Sequence, residues 1–292
     1  MDSYTIFDMK LRYFFILCLL FAVGLISWSN DYILVPQNFF LHKGDSLNVR
    51  LFSSELFENP KEVKYEQSTT DKFALYDGGK KFDMKPNTKA NASPVLGYKM
   101  DNSGLAMVEM VRSYPADDVD KADFTAELDG EGLVNLSEKV NSIGQNRFRT
   151  KYTCFLKSLV MVDKPSGSLY STEVGHELEI ILKANPYKLS YGDDLTAIVK
   201  LRGKPMPNAK VDLLIKTPSG KVYPLKLISD ATGSVSFSVS REGIYLLRTV
   251  YFEPSKVKTA DYDKWGADYS FAFSNNGTMP NTYKEFGFGN VH

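Results

Sequence analysis

Apolar and polar residues alternate with a period of two along most of this chain, and the alternation stops at glycine, proline and asparagine clusters. That pattern predicts strands, because successive side chains of a strand point to opposite faces. In the first half it predicts strands over 32–35, 46–52, 72–76, 95–100 and 105–112. Leu-Ala-Met-Val-Glu-Met-Val within the last of these is almost continuously apolar, as suits a strand buried on both faces. Residues 114–128 differ: Asp117-Asp118 followed by Val119, Phe124 and Leu128 predicts a short acidic-capped helix or a loop. A further helical turn is expected over 133–140, then a long strand over 149–162 and another over 177–182.

Asn185-Pro186-Tyr187 reads as a hinge into a unit of evenly spaced strands, 195–202, 209–216, 222–228, 235–239 and 244–252. Val211, Leu213 and Ile215 share one face, and Val235, Phe237 and Val239 alternate with serines. Strands at ~8–12-residue spacing with Gly, Pro and Asn turns are the pattern of a β-sandwich. Trp265, Tyr269, Phe271 and Phe273 supply a last strand, and the tail from Asn275 has no periodicity and is expected to be loosely held. The expected fold class is therefore all-β: two β-sandwich domains with minor helix in the first. The expected division is an N-terminal β-rich domain over 30–184, a C-terminal sandwich over 185–274 and an irregular tail over 275–292.

Residues 1–29 change the picture of where the protein works. Lys10 and Arg12 precede an apolar run, 13–26, which ends in Ser27-Trp28-Ser29. A basic start, a short apolar core and a small-x-small ending predict a secretory signal peptide, shorter than the ~20 apolar residues that span a bilayer. The folded part is expected to be periplasmic or otherwise extracytoplasmic, with only the signal segment meeting the membrane. Thirty-five basic and 35 acidic residues give a formal net charge of zero, so no long-range field favours nucleic acid. Of two cysteines, Cys18 lies in the apolar run and Cys154 in the 149–162 strand, so stability has to come from cores and not from a disulfide. Gly-x-Ser-x-Gly, His-Glu-x-x-His, Cys-x-x-Cys and phosphate-loop motifs are absent, and the expectation is a protein that is not an enzyme. Asp117, Asp118, Asp120 and Asp123 read best as a solvated run, with paired carboxylates for glycoside chemistry or a calcium site as alternatives.

The second unit has turns with a mechanical logic: Gly203-Lys204-Pro205-Met206-Pro207-Asn208, Ser229-Asp230-Ala231-Thr232-Gly233 and Gly243-Ile244-Tyr245. Gly233 is expected at positive φ with Asp230 bonding the turn's amides, and Tyr245 as a large core filler. This unit resembles the immunoglobulin-like and transthyretin-like modules of secreted bacterial proteins. A narrower resemblance rests on Asn30-Asp31-Tyr32-Ile33-Leu34-Val35-Pro36, Lys43-Gly44-Asp45-Ser46-Leu47, Leu178-Glu179-Ile180-Ile181 with Asn185-Pro186-Tyr187, Tyr191-Gly192-Asp193, Gly203-Lys204-Pro205-Met206 and Trp265. In that order these segments, spread over 30–273, resemble an uncharacterised periplasmic family associated with nickel and cobalt uptake, a substrate-specific accessory component.

The resemblance implies a non-enzymatic extracytoplasmic binding protein, with nickel or cobalt as the transported ligand and a membrane metal transporter as partner. Members of that family commonly begin with a histidine before the acidic residue. This chain has Asn30 there, and nickel and cobalt prefer imidazole to an amide oxygen. The metal candidates that remain are Asp31 and His176, although a lone histidine at a strand start is more often hydrogen-bonded or solvated. His42 sits beside a cation, and His292 ends the chain. The competing reading is a structural or interaction module of the cell envelope, binding protein or glycan.

Overall fold

In the computed structural model the described residues are 31–55 and 57–289. The first half contains strands β1 (Asp31–Pro36), β2 (Phe40–Leu41), β3 (Ser46–Glu55), β4 (Glu58–Val63), β5 (Thr70–Asp77), β6 (Lys80–Asp83), β7 (Leu96–Lys99), β8 (Gly104–Ser113) and β9 (Asp117–Asp120). Helices α1 (Lys121–Gly130) and α2 (Val134–Ser142) follow, then β10 (Arg147–Val162) and β11 (Leu178–Leu182). The remainder comprises β12 (Asp194–Leu201), β13 (Lys204–Pro205), β14 (Lys210–Lys216), β15 (Val222–Ile228), β16 (Ser234–Ser238), β17 (Gly243–Pro254), β18 (Tyr262–Phe273) and α3 (Thr282–Glu285).

These strands form three stacked layers. The middle is a ten-stranded sheet whose main path runs β15-β14-β17-β18-β10-β8-β5-β6. A four-stranded sheet of β1, β3, β4 and β7 covers one face, and a four-stranded sheet of β11, β12, β13 and β16 covers the other. Period-two alternation sends neighbouring residues of a middle strand into different cores. On β8, Ala106, Val108 and Met110 join the first core while Leu105, Met107 and Val111 join the second. On β14, Val211, Leu213 and Ile215 face the second core as the pattern predicts, and Leu214 fills the first. A strand covered on both sides needs apolar residues at every position, which is why β8 reads as an unbroken run.

The all-β expectation holds, and both sandwich interfaces exist, but they share their middle sheet. Residue 185 therefore separates no pair of independent sheets. β5, β8 and β10 precede it and β14, β17 and β18 follow it, all in one sheet, and β10 pairs with β18 in parallel from Thr150↔Tyr262 to Ser158↔Ser270. The tail is also corrected. Asn281 caps α3 by accepting from the Tyr283 and Lys284 amides, and Phe286 and Phe288 are fully buried in the first core. Three large rings, Tyr283, Phe286 and Phe288, within six residues anchor it without any periodicity.

The expected helix is present as α1, with Asp120 at its N-cap position and Asp123 in its first turn, but Asp117 to Asp120 ahead of it form β9, which pairs with β10 from Arg147↔Asp120 to Thr150↔Asp117, so their side chains alternate faces. α1 begins after this strand, with no side-chain cap bond from Asp120, and Phe124 and Leu128 bury one face with Phe148, Phe252 and Tyr262. Arg248 bonds both Glu131 at 2.8 Å and Asp212 at 3.2 Å, which ties the end of α1 to the middle sheet. The Asp230 turn matches expectation: Gly233 has φ +73°, and Asp230 Oδ1 accepts from the Thr232 and Ser234 amides at 2.8 and 3.0 Å. Tyr245 is fully buried. No helix among the described residues is long and apolar enough to cross a membrane. The expected signal segment 1–29, Asn30 and His292 lie outside the described residues.

Candidate functional site

The middle sheet buries several charged side chains where the strand pattern calls for apolar ones, and two of them differ most in how they are met. The first is Glu109 on β8, which is completely buried on the second-core face. Its Oε1 accepts from Lys72 Nζ and His176 Nε2, each at 2.6 Å, and its Oε2 accepts from Tyr76 Oη at 2.7 Å, with Lys81 Nζ at 3.7 Å. Burial alone would raise the Glu109 pKa, but hydrogen bonds from His176, Lys72 and Tyr76 outweigh it and hold the carboxyl at about 2. Burial and the adjacent Glu109 charge push the Tyr76 hydroxyl above its ordinary value. Next to this group, Lys157 Nζ donates to Glu179 Oε1 at 2.5 Å, and the Val174 and Gly175 amides donate to the same carboxylate. An ionised carboxylate that accepts from three side chains is an anchor. It is a poor general base near neutrality.

This arrangement decides what His176 can do. It lies in the loop before β11, 5% exposed, with its ring stacked on Phe155 at 4.8 Å between centroids. Ionised Glu109 can only accept, so Nε2 donates to it, and Nδ1 is buried with no hydrogen-bond partner among the described residues. A carboxylate behind an imidazole is the outer half of many metal centres. The inner half is missing here: no group of three or more His, Cys, Asp or Glu among the described residues could hold an ion, and two ammonium groups crowd the same carboxylate. Nickel or cobalt does not fit at His176. Asp31 cannot help, because its backbone belongs to β1, paired with Ser54 in the first-face sheet, and the middle sheet lies between it and His176. Its side chain lies outside the described residues. His42 is exposed and 3.1 Å from Asp163 Oδ1.

The second is Lys216, the last residue of β14, on the opposite face of the middle sheet and 5% exposed. Its Nζ donates to the Phe57 carbonyl at 2.9 Å and sits 5.1 Å from the Phe288 ring centroid. Burial lowers its pKa, against a weaker opposing pull from Glu58. Phe57 lies in the β3–β4 hairpin with φ +63°, and Asn59 beside it has φ +44°. A bulky residue in the left-handed region costs on the order of 1–3 kcal/mol, so the surrounding packing has to impose it. Phe57 and Lys216 line a cleft of about 1190 Å³ with Arg50, Lys61, Lys64 and Glu62. Arg50 is occupied: it pairs with Glu62 at 3.3 Å and stacks on Tyr283 at 4.4 Å.

Sequence reasoning passed over Glu109, Lys157 and Lys216. Each is a charge on a largely apolar strand, and a charge in a doubly buried strand needs a partner from elsewhere in the fold. That signal was present, but it does not name the partner.

Comparison with known proteins adds the family and little else. No curated protein matches the chain. Among solved structures, the D0-D1 domain of Intimin is similar over 82% of this chain and 97% of that chain, at 11% identity and a TM-score of 0.20, a likeness too slight to carry further argument. The family model described as "Domain of unknown function (DUF4198)" matches residues 28–253, which runs from β1 into β17 and stops short of β18 and the tail, and the chain belongs to that family.

Proposed function

We propose that this chain is an extracytoplasmic, non-enzymatic binding module of the cell envelope, in which a three-layer β scaffold presents the cleft beside the β3–β4 hairpin to a ligand or partner. The observation that carries the reading is the cleft itself. At about 1190 Å³ it is slightly larger than the ~300–1,000 Å³ typical of small-molecule pockets, and it has a buried lysine in its wall. The Glu109 cluster supports the same reading, since its carboxylate is held ionised by three hydrogen-bonding side chains and serves as an anchor between strands. The signal-like segment 1–29 supports an exported location. The test is retention of envelope protein or glycan by the immobilised chain. Wild type is expected to retain a partner that a Lys61→Glu/Lys64→Glu variant loses, and no retained partner counts against the reading.

The narrower form, an accessory role in nickel or cobalt uptake beside a membrane transporter, is supported by the resemblance of residues 30–273 alone. Titration calorimetry with nickel, cobalt and zinc tests it. Stoichiometric binding that survives His176→Ala is expected, and no heat up to high micromolar metal removes it.

A further inference from the structure

We propose that the cleft beside Lys216 binds a ligand through an oxyanion group, a carboxylate, phosphate or sulfate, with Lys216 as the principal counter-charge and Lys61 and Lys64 as the rim. This deepens the binding-module reading and rests on it.

The inference starts from an imbalance. An ammonium in a protein interior is costly unless it is paired or hydrogen-bonded. Every other deeply buried cation of the middle sheet has a carboxylate within ion-pair distance, most weakly Arg112, which has Glu66 at 3.8 Å and donates to Thr69 Oγ1 at 2.7 Å. Lys157 has Glu179 at 2.5 Å, Arg248 has Asp212 and Glu131, and Lys264 has Glu127 at 2.6 Å. Lys216 is buried to the same degree, yet among the described residues no carboxylate lies within ion-pair distance of it. Only the Phe57 carbonyl takes one of its three N–H donors, and a ring face supplies the rest of its surroundings.

The other lining charges reinforce this sign. Lys61 and Lys64 are exposed and have no ion-pair partner among the described residues, and Glu62 is engaged by Arg50. The lining therefore presents three ammoniums without a carboxylate partner among the described residues, against Glu58. An arriving oxyanion would complete the Lys216 hydrogen bonds and pair its charge in a partly dry site, where a charge-assisted bond is strongest. A metal ion is disfavoured by the same charges, and a neutral ligand would leave Lys216 unpaired.

The experiment is calorimetric titration of the full chain, at low ionic strength, with three separate probes: inorganic phosphate, sulfate and glucuronate. At least one is expected to bind, with affinity that falls as salt rises. Lys216→Met, which keeps the length and removes the charge, should weaken binding roughly tenfold or more, and Lys61→Gln/Lys64→Gln should weaken it several-fold. Preference for glucuronate assigns a carboxylate such as an acidic sugar, and preference for phosphate or sulfate assigns those groups; each supports the site. Should Lys216→Met fail to fold, the rim double variant decides, and unchanged affinity in it overturns the proposal. So does the absence of heat with all three probes at about ten millimolar. If the chain still retains an envelope partner in that case, only the anion site falls; if it retains none, the binding-module reading falls with it.

Discussion

Glu109 and Lys216 are both buried charges on strands of one sheet, one on each face, and their surroundings could hardly differ more. Glu109 is met by an imidazole, two ammoniums and a phenol, whereas Lys216 is met by one carbonyl and one ring. The contrast separates a charge used as an anchor from a charge kept available. A saturated ion stiffens the fold because removing it strands its partners, while an under-paired ion adds little to stability and is free to serve a ligand.

The largest effect expected from this contrast is on Glu109. Glu109→Ala leaves His176, Lys72 and Tyr76 without their acceptor, and should cost about 3–5 kcal/mol in denaturant unfolding; a loss below about 1 kcal/mol would show that the cluster is no anchor. Close behind comes the tail packed under the cleft. Phe288→Ala removes a fully buried ring packed on Phe52 and Phe57 and should cost about 3 kcal/mol. An unchanged melting temperature would restore the loose tail that the periodicity alone suggests.

A smaller effect is expected with pH. The Glu109 carboxyl is held at about 2 against an ordinary value of 4.5, so as pH falls through that interval the unfolded chain takes up its proton first. The stabilisation is fully present above about pH 4.5 and is lost on the way down to 2. Denaturant midpoints should drop across this window in wild type, and the Glu109→Gln variant should show a shallower drop. Equal slopes would place the acid sensitivity elsewhere. The smallest effect is the most telling: Lys216→Met should change stability by no more than about 1 kcal/mol, in either direction, because it removes a charge with no ionic partner. A loss as large as that of Glu109→Ala would make Lys216 an anchor too, and the comparison would collapse.

Much of the local structure was legible from residue order. β3, β5, β8, β10, β14 and β17 fall where alternation places them, and the Asp230–Gly233 turn follows from an acidic side chain three residues ahead of a glycine at positive φ. The candidate site was much less legible. His176 was visible as a rare residue, but Glu109 lies 67 positions away, and spacing along a chain says nothing about a contact made between layers. Metal chemistry at His176 was a fair expectation for a lone imidazole, and it yields to Lys72 and Lys81, whose approach depends on the β5–β6 hairpin lying beside β8.

By itself the order of side chains determined that this chain makes strands, which positions turn, and that β8 is covered on both faces. Those features depend on the period of the backbone and on the conformations that Gly, Pro and Asp favour, all within a few residues. Only the tertiary structure decided that one middle sheet serves two cores, that the tail closes the first of them, and which buried charge is paired. Each of these depends on contacts between distant segments, such as the parallel pairing of β10 with β18, and burial energy rewards many such pairings almost equally until the whole set is satisfied together.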